Sequence, residues 1–196
     1  MYTEENIKPE PFFIEIDGFY LHGDFLLNHA DAFPSILFLH GSVSSGRSGF
    51  LLLRRLLLKK YGISSCAFDF VGHGSTAGEQ ALVNSCIEAQ FAQASAIVDA
   101  CFDCQPFGIV AADIHTDVAL RLMEDYQVRH LLLLNPPDGW DTSHETACQV
   151  VTMLTPPSGT LAFMNANTTL LASIADNLHT VSQGSGNSVM SKESVA

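Results

Sequence analysis

A short apolar stretch that ends in an aspartate and continues as an amphipathic helix is the segment best suited to chemistry. Residues Phe107 to Ala112 are all apolar, which is typical of a strand buried on both faces. Beyond Asp113, apolar residues recur at steps of three and four as far as Tyr126, which predicts a helix. The junction therefore predicts a carboxylate at a sheet rim, where it could bind a ligand, attack carbon or cap the helix.

Polar residues and glycines follow three other apolar stretches. They are His40-Gly41 at the end of Ile36–His40, Gly72-His73-Gly74 after Ile63–Phe70, and Asn135-Pro136-Pro137 after Val128–Leu134. The carboxyl ends of parallel strands meet at one edge of a sheet, and ligands bind there. We therefore expect these residues to gather around Asp113.

Strands and helices alternate after an opening hairpin whose turn is Asp17-Gly18. Strands are predicted at Phe12–Ile16, Tyr20–Leu27, Ile36–His40, Ile63–Phe70, Phe107–Ala112, Val128–Leu134, Thr160–Met164 and His179–Val181. Helices are predicted at Ser48–Tyr61, Leu82–Phe102, Asp141–Met153, Leu170–Leu178 and after Asp113 as far as Tyr126. The alternation predicts one α/β domain over residues 1–196, a mostly parallel doubly wound sheet with an N-terminal antiparallel hairpin, and a weakly structured tail at 181–196.

Composition limits the partners. The chain is 47% hydrophobic and 15% charged, with a net charge of −12, which fits a compact acidic protein. Nucleic acids and anionic membranes select clustered basic residues, so neither is expected as a partner. No apolar run is long enough to span a membrane and the polar start lacks the features of a signal peptide, so we expect a cytoplasmic protein. Five basic residues lie in one segment, predicted to be the solvated face of a helix: Arg47, Arg54, Arg55, Lys59 and Lys60.

The five cysteines fit reduced, mostly buried thiols. Cys101 and Cys104 have the spacing of a redox or zinc pair, but no second ligand pair accompanies them. We expect no metal and no cofactor.

The turns carry a resemblance to a known superfamily. Leu39-His-Gly41, then Phe68-Asp-Phe-Val-Gly-His-Gly74 with Gly78-Glu79, then the strand-turn-helix around Asp113, resemble the α/β-hydrolases. The nearest branch is the monoacylglycerol-lipase-like and serine-aminopeptidase-like one, and the resemblance runs from about Phe12 to Pro137. It implies a Gly-x-Ser-x-Gly elbow with a nucleophilic serine, an acid after the seventh strand and a histidine after the eighth.

Each of those three catalytic positions differs in this chain. Placed by its helix, the elbow is Ala111-Ala-Asp-Ile-His115, with Asp113 in place of the serine and both glycines replaced. The acid position falls on Thr168 and the histidine position on Asn187. A serine mechanism needs its nucleophile and its base, so the leading interpretation is a non-catalytic protein that binds a small acyl- or ester-like ligand or a protein.

The alternative is a hydrolase of ester, epoxide or halide substrates that uses Asp113 as a carboxylate nucleophile. α/β-Hydrolases resembling haloalkane dehalogenases and epoxide hydrolases place an aspartate at this position. The N–H groups of Ile114 and of a residue near Ser42 would form the oxyanion hole, and Asp138 would supply the acid. Those families usually carry tryptophan where this chain has Ile114, and the required histidine is missing.

Plain helix capping is the favoured role of Asp113, since aspartate is among the best N-cap residues. His40 and His73 are expected to brace neighbouring loops, the role that the resemblance implies for them. His115 is expected to titrate near neutral pH beside Asp113, and a metal site there is discounted because the spacing is not a recognised one.

The C-terminal part is short for this fold. Only Ser188–Ala196 remain where the family has a substantial helix, which predicts a truncated C-terminal helix and an exposed sheet face. A homodimer or a protein partner would cover that face. The segment Asp138–Ser158 is short for a lid, which predicts an open or shallow pocket.

Overall fold

The computed structural model describes residues 7–41, 46–76, 78, 86–136, 149–153, 176 and 179. Seven strands form one sheet: β1 (Glu10–Ile16), β2 (Phe19–Leu26), β3 (Ile36–Leu39), β4 (Ser65–Phe68), β5 (Phe107–Ala112), β6 (Val128–Leu134) and β7 (Gln149–Met153). The α-helices are α1 (Leu51–Tyr61), α2 (Ile87–Cys101) and α3 (Thr116–Asp125), and 3₁₀ turns precede α1 and α3 at Gly46–Phe50 and Asp113–His115.

The strand order is β1-β2-β4-β3-β5-β6-β7. β1 and β2 are antiparallel, β2 is antiparallel to β4, and every other pair is parallel. The turn between β1 and β2 has positive φ at both Asp17 and Gly18, 49° and 80°, as the hairpin prediction requires. The predicted mostly parallel sheet with an N-terminal hairpin is confirmed.

The central strands are apolar throughout because both of their faces are covered. Leu37 of β3 and Ile109 of β5 pack in one core with α2 and α3. Ile36 and Val110 are the sequence neighbours of Leu37 and Ile109 on the same strands, and they pack on the opposite face with α1. Since successive strand residues point to opposite faces, the continuous apolar runs indicate helices on both sides of the sheet, as in the structure.

Helix α1 ends as predicted but buries one of its basic residues. Gly62 has a φ of 68° and its N–H bonds the carbonyl oxygen of Leu58 at 3.0 Å, a left-handed C-cap. The solvated-face prediction is wrong for Arg54, which is fully buried. Its guanidinium donates to Asp24 Oδ1 at 2.5 Å and to Ser65 Oγ at 3.0 Å, and this pairing is what permits its burial.

The prediction of a helix over Asp141–Met153 is wrong at its C-terminal end, where Gln149–Met153 forms β7 beside β6. Three consecutive β-branched residues, Val150 to Thr152, favour a strand there. Pairing with the parallel strand β6 outweighs the helical spacing of the apolar residues. Asp176 is helical as predicted, whereas His179, predicted in a strand, is helical too. Among the helices in the described part of the chain, none has the length and apolar character needed to cross a bilayer.

Candidate functional site

The candidate site lies where β3, β5 and β6 end. Leu39 pairs with Ala111, and Ala112 pairs with Leu134, so the residues that follow these strands start from one edge of the sheet. His40 and Gly41 follow β3, while Asp113 follows β5. The register of the sheet therefore brings His40 and Gly41 to the same edge as Asp113, as predicted.

Asp113 occupies a sharp left-handed turn. Its φ is 52°, a conformation that aspartate tolerates better than most residues with a side chain. The chain passes from β5 through a single 3₁₀ turn into α3, and the hydroxyl of Thr116 donates to the backbone carbonyl oxygen of Asp113 at 2.8 Å. This backbone has the abruptness of a nucleophile elbow although its flanking residues are not glycines.

The prediction that Asp113 caps its helix is wrong. Helix α3 begins at Thr116, the residue before it is His115, and no side chain makes a capping hydrogen bond there. Ala112 precedes the 3₁₀ turn, again without a side-chain cap. The physical reason is the left-handed backbone at Asp113, which sends its carboxylate away from the helix and onto Gly41.

The carboxylate of Asp113 sits in a partly desolvated cradle. A Cβ atom at Gly41 would overlap Asp113 Oδ2, so the carboxylate lies directly against the Gly41 backbone. Loss of hydration raises the pKa of Asp113, and a side-chain hydrogen bond from Asn135 opposes that rise. Asp113 is half-buried, so a ligand can still reach it.

Asn135 is the partner that sequence reasoning placed at this edge without giving it a role at the site. It directly follows Leu134, the residue paired with Ala112, just as Asp113 directly follows Ala112. Asn135 also has a left-handed φ of 57°. Matching positions after two neighbouring parallel strands are the signal that could have identified the pair.

His115 is buried and neutral. Its Nδ1–H donates to the carbonyl oxygen of His40, and its ring stacks on Phe70 with centroids 4.0 Å apart. Burial, followed by the nearby His40 ring, lowers the pKa of His115 to about 3. The prediction that His115 titrates near neutral pH is therefore wrong, because its surroundings cannot hydrate an imidazolium. Its Nε2 has no hydrogen-bond partner among the described residues.

His40 braces two loops, as expected. Its Nδ1–H donates to the carbonyl oxygen of Gly41 at 2.9 Å, and its Nε2 accepts the backbone N–H of Phe70 at 3.1 Å. That bonding pattern assigns the neutral tautomer. Burial lowers the pKa of His40 to about 4. The ring of His73 lies 4.8 Å from that of His40, but within the described residues no three His, Cys, Asp or Glu side chains are arranged to hold a metal.

A second polar cluster, which the sequence analysis did not assign, follows β4. The carboxylate of Asp69 accepts the backbone N–H groups of Arg47 at 2.6 Å and Ser75 at 2.8 Å, and it pairs with the Arg47 guanidinium. Arg47 also reaches Asp24 at 2.7 Å. A cavity of about 130 Å³ lies beside these groups, and Asp113 is not part of its lining. Asp69 therefore links the 3₁₀ turn at Gly46–Phe50 to the loop that follows β4.

Four of the predicted site residues lie outside the described part of the chain: Ser42, Asp138, Thr168 and Asn187. Ile114 is described, and its side chain is exposed beside Asp113. β7, the seventh strand of the sheet, ends at Met153. The roles predicted for Asp138, Thr168 and Asn187 stay predictions.

No protein-family model and no curated protein sequence matches this chain. Solved structures do match. A predicted CIB-like hydrolase from Thermoplasma acidophilum aligns with a TM-score of 0.68 at 12% identity, over 88% of this chain and 99% of that one. The thioesterase domain from the curacin biosynthetic pathway aligns with a TM-score of 0.57 at 19% identity, over 70% and 48%. A haloalkane dehalogenase from Agrobacterium tumefaciens aligns with a TM-score of 0.53 at 20% identity, over 65% and 41%.

Two of these structures belong to longer chains. This chain spans less than half the length of the thioesterase domain and of the dehalogenase, and nearly the whole length of the Thermoplasma protein. Identities of 12% to 20% establish a common fold. Fold alone does not fix a reaction, so the chemistry has to be argued from the site.

Proposed function

This chain has the α/β-hydrolase fold, and we propose that it uses the elbow of that fold to bind a small acyl- or ester-like ligand without hydrolysing it. The ligand would lie against Asp113, at the position of the usual nucleophile. On this proposal the chain lacks a working Ser-His-Asp triad.

The surroundings of the Asp113 carboxylate carry the proposal. The carboxylate lies against Gly41 and accepts a hydrogen bond from the side chain of Asn135. Burial raises its pKa, and the hydrogen bond from Asn135 opposes that rise. The Nδ1 atoms of His40, His73 and His115 all hydrogen-bond to backbone carbonyl oxygens. The nearest histidine in sequence, His115, is turned to the carbonyl of His40. A nucleophile needs a base within hydrogen-bond reach, whereas a binding carboxylate does not.

The local polarity indicates which ligand groups fit. Asp113 accepts hydrogen bonds, so it favours a ligand N–H or hydroxyl. The first N–H groups of a helical turn lack internal partners, and the N–H of Ile114 is among them, so it can donate to a ligand carbonyl. A neutral molecule with an ester or amide carbonyl and a nearby N–H offers both partners. An anionic ligand would be repelled by Asp113.

Binding can be tested by NMR titration with ethyl N-acetylglycinate, a neutral probe that has an ester carbonyl and an amide N–H. We expect Asp113→Asn to weaken binding about tenfold, because it removes one charge-assisted hydrogen bond while keeping a residue that tolerates positive φ. Asp117→Asn is the matched control, since Asp117 is exposed four residues further along. Equal affinities in the parent and both variants would contradict the proposal.

The loss of a serine mechanism is tested separately with a fluorophosphonate probe, which labels activated serines. We expect no labelled serine in this chain, and an active serine hydrolase in the same reaction provides the positive control. Strong labelling of one serine would show that the elbow has been placed on the wrong residues.

A carboxylate-nucleophile hydrolase is the second candidate, favoured by the left-handed turn at Asp113. An Asp113 oxygen would attack carbon and displace the leaving group, and water would then cleave the resulting ester at the Asp113 carbonyl carbon. Asp138 and a histidine outside the described residues would have to complete that site. A single turnover in ¹⁸O-labelled water would leave one labelled oxygen in Asp113, and turnover without label there would exclude this route.

We also propose that the protein is cytoplasmic. Its partner, either a second copy of this chain or another protein, would bind the face of the sheet that carries α1. Asp176 contacts Lys60 at 2.7 Å, and the ring of His179 stacks on Tyr61 at 4.4 Å, so part of the C-terminal region already lies beside the end of α1. Light scattering tests the homodimer, because a monomer at all concentrations would count against it.

A further inference from the structure

The cavity beside the start of α1 has charged walls and is separate from the Asp113 site. Its volume is about 130 Å³. An apolar cavity of about 150 Å³ holds benzene, so this one has room for a molecule of about five non-hydrogen atoms. Arg54 and Asp69 form a buried floor, whereas Ser75 is exposed and marks the side that opens to solvent.

The charges on the cavity walls balance. The carboxylates of Asp24 and Asp69 pair with the guanidiniums of Arg47 and Arg54. The side chains of Arg54 and Asp69 are each 1% exposed, whereas those of Arg47 and Asp24 are 19% and 11% exposed. A ligand in the cavity therefore meets one accessible donor, Arg47, and one accessible acceptor, Asp24, in a cluster with no net charge.

The accessible donor and acceptor lie side by side. Within the described part of the chain, the Arg47 guanidinium donates through Nε to Asp24 Oδ2 at 2.7 Å and through Nη1 to Asp69. One N–H of Nη2 runs parallel to Nε–H in a planar guanidinium, so it emerges beside the Asp24 carboxylate. A carboxylate has about four acceptor positions, and the side chains of Arg47 and Arg54 fill two of those on Asp24.

We propose that this cavity binds a small neutral primary amide. The amide oxygen accepts the Nη2–H of Arg47, the amide N–H donates to the Asp24 carboxylate, and the hydrocarbon part of the ligand packs on Pro9 and Leu51. The proposal rests on the cavity and on the Arg47–Asp24 pair, so it is independent of the function proposed for Asp113.

Other ligand classes fit this pair less well. A carboxylate ligand would place an anionic oxygen against Asp24, and a cation would lie against the Arg47 guanidinium. A ketone would satisfy Arg47 but offer no donor to Asp24. A primary amide presents an acceptor and a donor next to each other, which is the complement of the pair in the cavity wall.

Three probes of matched shape test the proposal: propionamide, propionate and butan-2-one. Each is titrated into the ¹⁵N-labelled full chain, and NMR follows the backbone N–H of Ser75 and the Nε–H of Arg47, which donate to Asp69 and Asp24 at the cavity. We expect propionamide to shift both resonances saturably, and the other two probes to bind at least about tenfold more weakly. The backbone N–H of Ile114 reports binding at the elbow separately.

A cavity-filling variant checks the location without changing the charged residues. Leu51 is half-buried and lines the cavity, whereas its neighbour Leu52 is 48% exposed and is not part of the lining. We expect Leu51→Phe to weaken propionamide binding at least about tenfold, because the larger ring takes up the space of the ligand. Leu52→Phe is the matched control and should bind propionamide as the parent does.

Several results would overturn the proposal. Equal binding of the three probes would mean that the cavity selects shape alone, and tighter binding of propionate would make it an anion site. Resonances of Ser75 and Arg47 that never respond to propionamide would mean that the cavity takes no amide. Equal affinities in Leu51→Phe and Leu52→Phe would place the probe elsewhere. If Leu51→Phe fails to fold, the three probes on the parent chain still decide.

Discussion

Acidification should destabilise this protein well before its carboxylates titrate. His40 and His115 are buried, neutral and part of one hydrogen-bonded group behind the elbow. Their pKa values are lowered to about 4 and about 3, whereas an unfolded histidine titrates at about 6.5. Between those values the unfolded chain binds protons that the folded chain does not. The free energy of unfolding therefore falls as pH drops below about 6.5.

The size of this effect follows from the same values. Each histidine contributes a slope of about 1.4 kcal/mol per pH unit once the pH is well below 6.5. Integrated to pH 5, each removes about 2 kcal/mol, and the two together remove about 4 kcal/mol relative to alkaline pH. That is a large share of the 5 to 15 kcal/mol, roughly, that stabilises an ordinary domain. His130, whose pKa burial also lowers, adds to the slope in the same direction.

Urea unfolding followed by circular dichroism at pH 7, 6 and 5 measures the slope. The window stops at pH 5 because most carboxylates titrate below it. The comparison variant is His115→Asn, which keeps a side-chain N–H for the carbonyl of His40 and cannot titrate. We expect the variant to be less stable at pH 7 but to lose about 2 kcal/mol less than the parent by pH 5.

Two results would refute this account of the histidines. One is a free energy of unfolding for the parent chain that stays level between pH 7 and pH 5. The other is an equal pH slope in the parent and in His115→Asn, which would mean that His115 is hydrated or paired when folded.

Three further changes test the site and its support. Gly41→Ala should lower the free energy of unfolding by about 1–3 kcal/mol, because the new methyl group overlaps the Asp113 carboxylate; an equal loss in an Asp113→Ala background would contradict that contact. Asn135→Leu should raise the pKa of Asp113 further, measured by carboxyl ¹³C NMR, since the amide hydrogen bond holds it down; an unchanged or lower pKa would contradict the pairing. Arg54→Met should cost about 1–3 kcal/mol in urea unfolding because Asp24 Oδ1 loses its buried donor while Arg47 still pairs with Oδ2, and Arg55→Met, at a half-buried neighbour, should cost less; similar losses would contradict the burial argument.

The sheet was predictable because its signals are local. Apolar runs such as Phe107–Ala112 can satisfy their pattern only between two layers, and Asp17-Gly18 specifies its own turn. The strand at Gln149–Met153 was not predicted, because five residues match a helical stripe as well as a strand. Pairing with the neighbouring strand β6 makes this segment a strand, and the spacing of its apolar residues does not reveal that pairing.

The site was predictable in position and not in its electrostatics. Topology placed Asp113 and His40 at one edge of the sheet. Whether His115 titrates depends on how much water reaches it, and Phe70, which excludes that water, lies 45 positions earlier in the chain. Arg54 was assigned to solvent for the same reason, since its partner Asp24 is 30 positions away. Burial and pairing are set by distant residues, and they decide the charge states.

The most direct test of the central claim follows the carboxyl carbons of ¹³C-labelled aspartates by NMR while ethyl N-acetylglycinate is added. Binding without turnover predicts that one resonance, absent in Asp113→Asn, shifts saturably while the ester stays intact over many hours. Release of ethanol that Asp113→Asn abolishes would contradict the claim and identify Asp113 as a nucleophile. A resonance of Asp113 that never responds to the probe would contradict the assignment of the site itself.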